Sequence, residues 1–416
     1  MLKKEAVIMR KSNSPIAPVI GCIVIQICVG ILYLWSVFKT PITEAFNWSS
    51  EAAQMVSSYM LFAFVAGNLI GGFINDKKGP KLTAVLGVVM FSLGISLTSL
   101  LSAKTIGLIN LTYSVLGGLG SGFAYGACVS CVQKWLPHRR GLASGLAVSA
   151  FAFSTVIFAP VSKWLMEVFK DTATGIVDFK YVFLILGGAF FVFGIIGCLF
   201  VKLPDEKYLR GLPVVTSGRV HTGKDYTLLQ AMKTLPFWCI FFSILFINGT
   251  WTLTVPLIKD LGIERGLTEA TAIFAVSFTG VANALGRLVM AALSDKIGRT
   301  ATIIVLSVIT FVGAVLMIFI GGYAYIAVVA LIAFGYGGPA SVNAAITTDF
   351  FGSKNSGTNY GVAMLALGFS SIIFNAISST VLKGNVVPTY IMAAATALVP
   401  IFMMIVIRKQ LKKKSG

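Results

Sequence analysis

Charged residues are scarce in this chain. Asp, Glu, Lys and Arg make up 12% of its 416 residues, whereas hydrophobic residues make up 56%. A soluble domain carries about 25% charged residues. Because no soluble fold could bury so much apolar surface, the composition excludes a soluble protein and predicts a membrane protein.

The chain is also poor in the residues that catalysis requires. Its two histidines, His138 and His221, fall in predicted loops, and no Asp or Glu lies in the middle of an apolar stretch. A membrane enzyme would need a nucleophile, a set of metal ligands or an acid–base pair within its spans. We therefore expect no enzyme, no catalytic residue and no cofactor.

Cysteines number six, and all of them fall inside apolar stretches, which argues against a disulfide framework. They are Cys22, Cys28, Cys128, Cys131, Cys198 and Cys239. Cys128 and Cys131 form a CxxC, but no other Cys or His is near enough in sequence to complete a zinc set. Helix packing is the favoured role, and no metal site is expected.

Twelve apolar stretches of about 20 residues are each long enough to cross a hydrocarbon core of ~30 Å as a helix. The first six are 16–38, 53–74, 82–102, 106–131, 141–166 and 181–201, and the last six are 235–258, 269–292, 300–320, 323–348, 358–382 and 387–407. Strands of a membrane barrel would alternate polar and apolar residues, and these stretches do not. The predicted fold is an all-α membrane protein with twelve transmembrane helices. The first stretch lacks a small-residue cleavage site and exceeds the length of a signal h-region, so it is predicted to be a span.

The net charge of +18 indicates orientation rather than nucleic-acid binding. With the N-terminus inside, the inner segments carry 24 Lys and Arg, the outer loops carry 8, and Arg287 lies within span eight. The positive-inside rule therefore places both termini on the cytoplasmic side of the membrane. The expected location of the protein is the plasma (inner) membrane.

The chain divides into two halves that repeat each other. A polar stretch with Pro and Gly, 202–233, reads as a cytoplasmic linker, so the predicted domains are 1–201, 202–233 and 234–416. Asp76 after span two and Asp295 after span eight lie in similar loops 219 residues apart. Arg140-Gly141 and Tyr360-Gly361 open spans five and eleven at an offset of 220, which indicates a parallel duplication.

These loops resemble the signature G-x-x-x-D-(R/K)-x-G-(R/K) of the major facilitator superfamily; the second copy has Ala291 in place of the leading Gly. The resemblance implies two six-helix repeats, the major facilitator fold. An Asp near a helix end is placed to engage neighbouring helix termini or Arg residues. We expect the loops to act as a conformational latch rather than as merely solvated turns. The expected latch residues are Gly72, Asp76, Asp295 and Arg299.

Arg287 is the internal charge of span eight, and placing Arg in a span costs about 2.5–3.5 kcal/mol. It could extend to the cytoplasmic surface or pair with a structural acid. The absence of a mid-span acid favours an anionic ligand, since a guanidinium binds a carboxylate through two hydrogen bonds. Asn283, four residues earlier, shares the helical face of Arg287 and could engage the same ligand.

The resemblance narrows to the oxalate/formate antiporter and monocarboxylate transporter branch. The matching segments are 30–35, 122–126, 135–145, 225–227, 236–238, Asn283 with Arg287, and 359–361. The branch implies a substrate carboxylate on Arg287, with Asn283 and with tyrosines that close the site. Those tyrosines are Tyr33, Tyr125 and Tyr336, each of which could otherwise bond to a neighbouring helix.

One departure bears on the substrate. Oxalate carriers of this branch place a Lys in span eleven at the position that is Leu367 here. A dianion would face a single Arg, which favours a monocarboxylate such as lactate, pyruvate or formate. The alternative is an antiporter of oxalate or another organic anion, and a receptor or scaffold that transports nothing is a further class. The expected partners are a small organic anion, with or without a proton, and the lipid bilayer; no nucleic acid is expected, and the protein is expected to be a monomer.

Overall fold

The computed structural model describes residues 14–30, 34–102, 104–172, 175–211, 225–383 and 385–415, and they are helical almost throughout. In the first half the helices are α1 (Ile16–Val29), α2 (Trp35–Phe46), α3 (Ser50–Lys78), α4 (Pro80–Leu97), α5 (Gly117–Trp135), α6 (Arg140–Val168) and α7 (Phe179–Phe200). Two short helices, α8 (Glu206–Arg210) and α9 (Leu228–Met232), lie in the predicted linker. In the second half they are α10 (Leu235–Thr254), α11 (Ile258–Glu264), α12 (Glu269–Ile297), α13 (Arg299–Leu316), α14 (Ala324–Phe351), α15 (Ser356–Ala376) and α16 (Val386–Ser415).

Eleven of these helices, within the described ranges, are long and apolar enough to cross a membrane. They coincide with eleven of the twelve predicted spans, and the all-α membrane fold is confirmed. The remaining predicted span, 16–38, contains α1, which has 14 residues, and the start of α2. Residues 31–33, which join the two, lie outside the described residues.

The helices pack in two groups that meet along a few faces. One hydrophobic core joins the helices from α1 through α7 and also includes Ala344, Tyr360 and Met364 of the second half. The other two cores join helices of the second half. Between the groups, α3 packs against α15 and α6 packs against α12. These two contacts are equivalent in the repeat, because α3 corresponds to α12 and α6 to α15.

Small residues allow both contacts to be close. A Cβ added to Gly72 on α3 would collide with the backbone of Gly357 on α15, and one added to Gly141 on α6 would collide with the carbonyl of Ala291 on α12. Gly141 thus corresponds to Gly357, at an offset of 216. The repeat landmark inferred from sequence, Gly141 with Gly361, is wrong by one helical turn, because α15 begins at Ser356 and not at Tyr360.

Candidate functional site

A small cavity lies between the two halves, with walls from α3, α5, α6, α10, α12, α14 and α15. Its volume is about 60 Å³. Most of the lining is apolar, with Phe64, Phe151 and Met364 among its members. The polar lining residues are Tyr125, Asn248, Arg287, Tyr336, Asn343 and Tyr360. A concave apolar site with a few converging polar groups is the usual form of a small-ligand site.

Arg287 is the charged residue of this lining and is 5% exposed. Its Nε donates to Asn283 Oδ1 at 2.7 Å, and one terminal nitrogen donates to the Val148 carbonyl of α6 at 3.3 Å. Within the described ranges, no Asp or Glu forms an ion pair with it. The guanidinium is therefore held by neutral acceptors and has no counter-charge among the described residues.

Asn283 has a different place from the one expected. The i−4 spacing puts it on the face of Arg287, as predicted, but its amide oxygen accepts from Arg287 and it is not part of the cavity wall. Asn283 thus contacts the guanidinium and not the cavity.

Two of the three predicted tyrosines, Tyr125 and Tyr336, line the small cavity, one from each half. Tyr125 packs edge-on against Phe64 and Phe151 with ring centroids 5.2 Å apart in both pairs, and its side chain interacts with Tyr360. Tyr336 donates to Asn248 Oδ1 at 2.9 Å and stacks on Trp251 with centroids 4.9 Å apart. Tyr33 lies outside the described residues.

Sequence reasoning missed three polar residues of the cavity lining: Tyr360, Asn248 and Asn343. Tyr360 had a signal, because it belongs to the Asn-Tyr-Gly segment that carried the family resemblance. The two asparagines are polar residues well inside apolar stretches, and a search for such residues would have found them.

A wider cavity of about 620 Å³ continues from the small one. Its walls come from the beginning of α3, the end of α10, the second half of α15 and Tyr336 of α14. Leu61, Asn248, Tyr336 and Leu367 line both cavities. The small cavity is thus the bottom of a wider cleft, and Leu367 and Tyr336 stand at the passage between them.

The opposite end is shut by two carboxylates that cross between the halves. Asp76 at the end of α3 accepts from the backbone nitrogens of Gly357 and Thr358, at 3.1 and 2.7 Å. We call this set the first latch. The partners are the first N–H groups of α15, which have no acceptor within the helix and lie at the positive end of its dipole.

Asp295, at the end of α12, accepts hydrogen bonds from the first N–H groups of α6. It accepts from the backbone nitrogens of Gly141 and Leu142, at 3.0 and 2.9 Å. This second latch also includes a chain of buried ion pairs: Asp295 with Arg299 at 2.7 Å, Arg299 with Asp349 at 2.9 Å, and Asp349 with Arg140 at 2.9 Å. Arg140 and Asp349 had not been predicted as latch residues.

A family model described as the Major Facilitator Superfamily matches residues 20–375 of the chain. The chain belongs to the major facilitator superfamily. It is thus a multi-pass membrane transporter and not an enzyme.

Relatives lie in the branch that the sequence motifs indicated. The oxalate:formate antiporter of Oxalobacter formigenes is 26% identical over 349 residues, which cover 82% of this chain and 79% of that protein. Monocarboxylate transporter 2 of Mus musculus is 26% identical over 211 residues, which cover 50% of this chain and 41% of that protein. The predicted branch is confirmed.

A solved structure has the same fold. The major facilitator transporter FucP in its outward conformation superposes with a TM-score of 0.72 at 14% identity, over 94% of this chain and 99% of that one. In this chain the cleft is open at the end where α3 begins, and both latches lie at the end where α3 stops. Contacts between the halves thus close one end of the cleft, and the other end is open.

Proposed function

We propose that this protein is a secondary transporter of small monocarboxylates, of the lactate, pyruvate or formate class, which works by alternating access. The substrate carboxylate binds Arg287 at the bottom of the cleft. The observation that carries the proposal is a buried guanidinium that faces a cavity between the halves and has no ion pair with any described acid.

The size of the small cavity supports a small substrate. A water position needs about 10–15 Å³ of this volume, so a cavity of about 60 Å³ holds roughly four to six non-hydrogen atoms. Formate has three such atoms, and lactate and pyruvate have six. A larger acid would extend past Leu367 into the wider cleft.

The polar lining supports recognition of a single carboxylate. Arg287 offers a charged pair of donors, and Tyr125, Tyr336 and Tyr360 lie around it. The far end of the substrate would meet Phe64, Phe151 or Leu367, which suit a methyl group better than a second charge. Tyr33 stays a predicted member of this site.

Antiport of oxalate or another organic anion is the second candidate function, since the Oxalobacter formigenes relative is an oxalate:formate antiporter. Leu367 argues against it. This side chain lines both cavities at the position where oxalate carriers of the branch have Lys, so an oxalate dianion would find one cation and a hydrocarbon wall.

The linings of the two cavities offer no side chain with a pKa near neutrality, because no Asp, Glu or His is among their described residues. Coupling then arises in one of two ways. One carboxylate exchanges for another, or a proton travels together with the substrate while Arg287 stays charged.

The positive charge of the latch end suggests the orientation. Lys77, Lys78, Lys81 and Lys296 lie beside the two latches, and the positive-inside rule assigns that end to the cytoplasm of a plasma (inner) membrane. Both termini are then cytoplasmic, and the described state faces outward. The latches stabilise this state, and the two halves rock about the site during transport.

Flux and binding on purified protein test the proposal. Lactate, pyruvate or formate should raise the melting temperature by mass action and should be taken up by proteoliposomes. Exchange predicts uptake that an internal carboxylate stimulates and a pH gradient does not; symport predicts the reverse. A protein that shows neither carboxylate-dependent stabilisation nor uptake would refute the proposal.

A further inference from the structure

A third cavity, of about 290 Å³, lies at the latch end of the molecule. It shares no lining residue with the small cavity or the wider cleft, among those that the structure describes. Lys134 and Arg140 line it from the first half, and Lys354 and Ser356 line it from the second. Leu203, Pro204 and Leu209 of the linker also line it, so the cavity depends on residues of both halves at the end where the halves are in contact.

The lining of this cavity carries positive charge from both halves. Lys134 is half-buried near the end of α5, and Lys354 lies in the turn between α14 and α15. No Asp or Glu is among the described lining residues, and neither lysine forms an ion pair with a described acid. Arg140 is different, because Asp349 already neutralises it at 2.9 Å. Two lysines without an ion pair to a described acid therefore line one cavity between the halves.

Hydroxyl groups complete the lining. Ser130 and Ser356, each 5% exposed, approach one another across the halves with 3.2 Å between their oxygens. Lys134 and Lys354 line one cavity where the halves meet at this end, and an anion between them would offset the repulsion of their charges. Ser356 donates to the Ser353 carbonyl at 3.1 Å, and Ser130 is left to donate to Ser356, so the lysines are the charged donors of this cavity. Ammonium groups are donors suited to an oxyanion, and two charges match a divalent one.

We propose that this cavity binds a small divalent oxyanion, of the phosphate class, which bridges Lys134 and Lys354. Because the two lysines belong to different halves, the bound anion stabilises the closed latch end and slows the change to the opposite state. The site is regulatory and separate from Arg287: a divalent anion that enters it lowers the rate of transport without competing for the substrate cavity.

Thermal unfolding with inorganic phosphate tests binding directly. At constant ionic strength, saturating phosphate should raise the melting temperature by about 2 °C relative to chloride. The variant Lys134→Gln/Lys354→Gln should lose this shift. Lys409→Gln, which removes an exposed lysine of α16 that does not line the cavity, is the matched control and should keep it.

Arg287→Gln separates this site from the substrate cavity. It should keep the full shift with phosphate, whatever the protein transports. A shift that Arg287→Gln abolishes would place phosphate in the substrate cavity and overturn the proposal. So would an equal shift in Lys134→Gln/Lys354→Gln, or no shift in the unaltered protein. If the double variant does not fold, Lys354→Gln alone, which alters an exposed side chain, should weaken phosphate binding at least about threefold.

Transport kinetics give the second readout. In proteoliposomes that take up a labelled monocarboxylate, phosphate on both sides should lower the maximal rate at least about threefold and leave the half-saturating substrate concentration unchanged. The double lysine variant should be insensitive to phosphate. Inhibition that excess substrate overcomes would show competition at Arg287 and would contradict a separate site.

Discussion

The two halves of this transporter have the same backbone packing and different charges. Gly145 of α6 packs on the carbonyls of Arg287 and Leu288, and Gly361 of α15 packs on the backbone of Asn68 and Leu69. Asn68 therefore occupies in the first half the place that Arg287 occupies in the second, at the offset of 219 that separates the latch aspartates. The buried amide of Asn68 thus corresponds to the buried guanidinium of Arg287. The two halves share the helix packing, and the second half alone places a positive charge at this position.

The two latches also share their backbone contacts and differ in their charges. Both aspartates accept from two backbone N–H groups of the opposite half. Arg299, the first residue of α13, extends the second latch into a chain of ion pairs, whereas Pro80 is the first residue of α4. Asp76 forms no ion pair with any Lys or Arg that the structure describes, so the first latch depends on neutral donors: the two helix-terminal N–H groups and, at 3.4 Å, the Asn75 side-chain amide. The second half should be more sensitive to loss of charge than the first.

The largest effect is expected at the pair Arg287 and Asn68. Arg287→Gln should reduce carboxylate uptake at least about 100-fold, because truncating one partner of a buried charged pair costs several kcal/mol. Arg287→Lys should also be weak, since a point charge cannot reproduce the two parallel hydrogen bonds of a guanidinium. Asn68→Ala is the matched control and should lower uptake by less than about threefold. Uptake is measured in proteoliposomes.

Two results would contradict the prediction for Arg287 and Asn68. Wild-type uptake by Arg287→Gln would remove Arg287 from the site, and a loss in Asn68→Ala as large as in Arg287→Gln would mean that both positions serve packing. The folded state of each variant is checked by its melting temperature, which Arg287→Gln should not lower, because the buried charge is itself a cost to a membrane fold.

The second prediction concerns Leu367, which leaves the second half with one cation instead of two. Oxalate bound to Arg287 would bury a second carboxylate against a hydrocarbon wall, at a cost of several kcal/mol, so it should compete with a labelled monocarboxylate about 100-fold less well than lactate or pyruvate. Leu367→Lys should weaken monocarboxylate uptake and improve competition by oxalate. Leu367→Met, of similar volume and without charge, should change neither.

Strong competition by oxalate in the unaltered protein would refute the single-cation argument. Leu367 lines both cavities, so a new ammonium group at this position starts within reach of the site. A Leu367→Lys variant with no change in selectivity would therefore also count against it.

The third prediction concerns the charge chain of the second latch. Asp349→Asn would leave the guanidinium groups of Arg140 and Arg299, whose ion-paired side chains are 10% and 9% exposed, without their shared carboxylate. We expect a shift of about 2 kcal/mol, roughly thirtyfold, away from the closed latch end. Glu264→Gln, at an exposed position of α11, is the matched control.

Alkylation measures this shift. A cysteine introduced at Asn375, in the wall of the wider cleft, should react with a maleimide quickly in the described state and more slowly after Asp349→Asn. The six native cysteines are buried, which limits the background reaction. An unchanged rate would show that the ion pairs contribute little to closure.

Most of the fold could be predicted from the sequence, and particular residues show which features could not. Long apolar runs fix helices because unpaired backbone groups are not tolerated in lipid, so eleven spans coincide with the prediction. The division of 16–38 into α1 and α2 was not foreseen, since hydropathy continues across the break between them.

The site was predictable where one helix determines it. Arg287 and Asn283 share a face because they are four residues apart, but spacing could not show that Asn283 bonds to the guanidinium itself. Contacts between helices were out of reach: Asp76 and Thr358 are 282 residues apart, and Arg140 and Asp349 are 209 apart. Only the packing of two halves brings such pairs together.

The smallest effect is expected at the first latch. Asp76→Asn keeps one carbonyl oxygen for the N–H groups of Gly357 and Thr358 but loses the negative charge at the positive end of α15. The expected loss is about 1 kcal/mol, and exchange should slow about fivefold. Substrate affinity should fall much less, because Asp76 lines neither the small cavity nor the wider cleft.

Binding and exchange measured on one preparation distinguish a latch from a general packing role. Lys78→Gln, on the same turn of α3 and exposed, is the matched control and should leave both quantities unchanged. An equal loss of binding and exchange in Asp76→Asn would argue against a latch. If Asp76→Asn slowed alkylation of the Asn375→Cys variant more than Asp349→Asn did, the order of the two latches would be reversed, and closure would depend on the helix-terminal N–H groups rather than on the ion pairs that distinguish the second half.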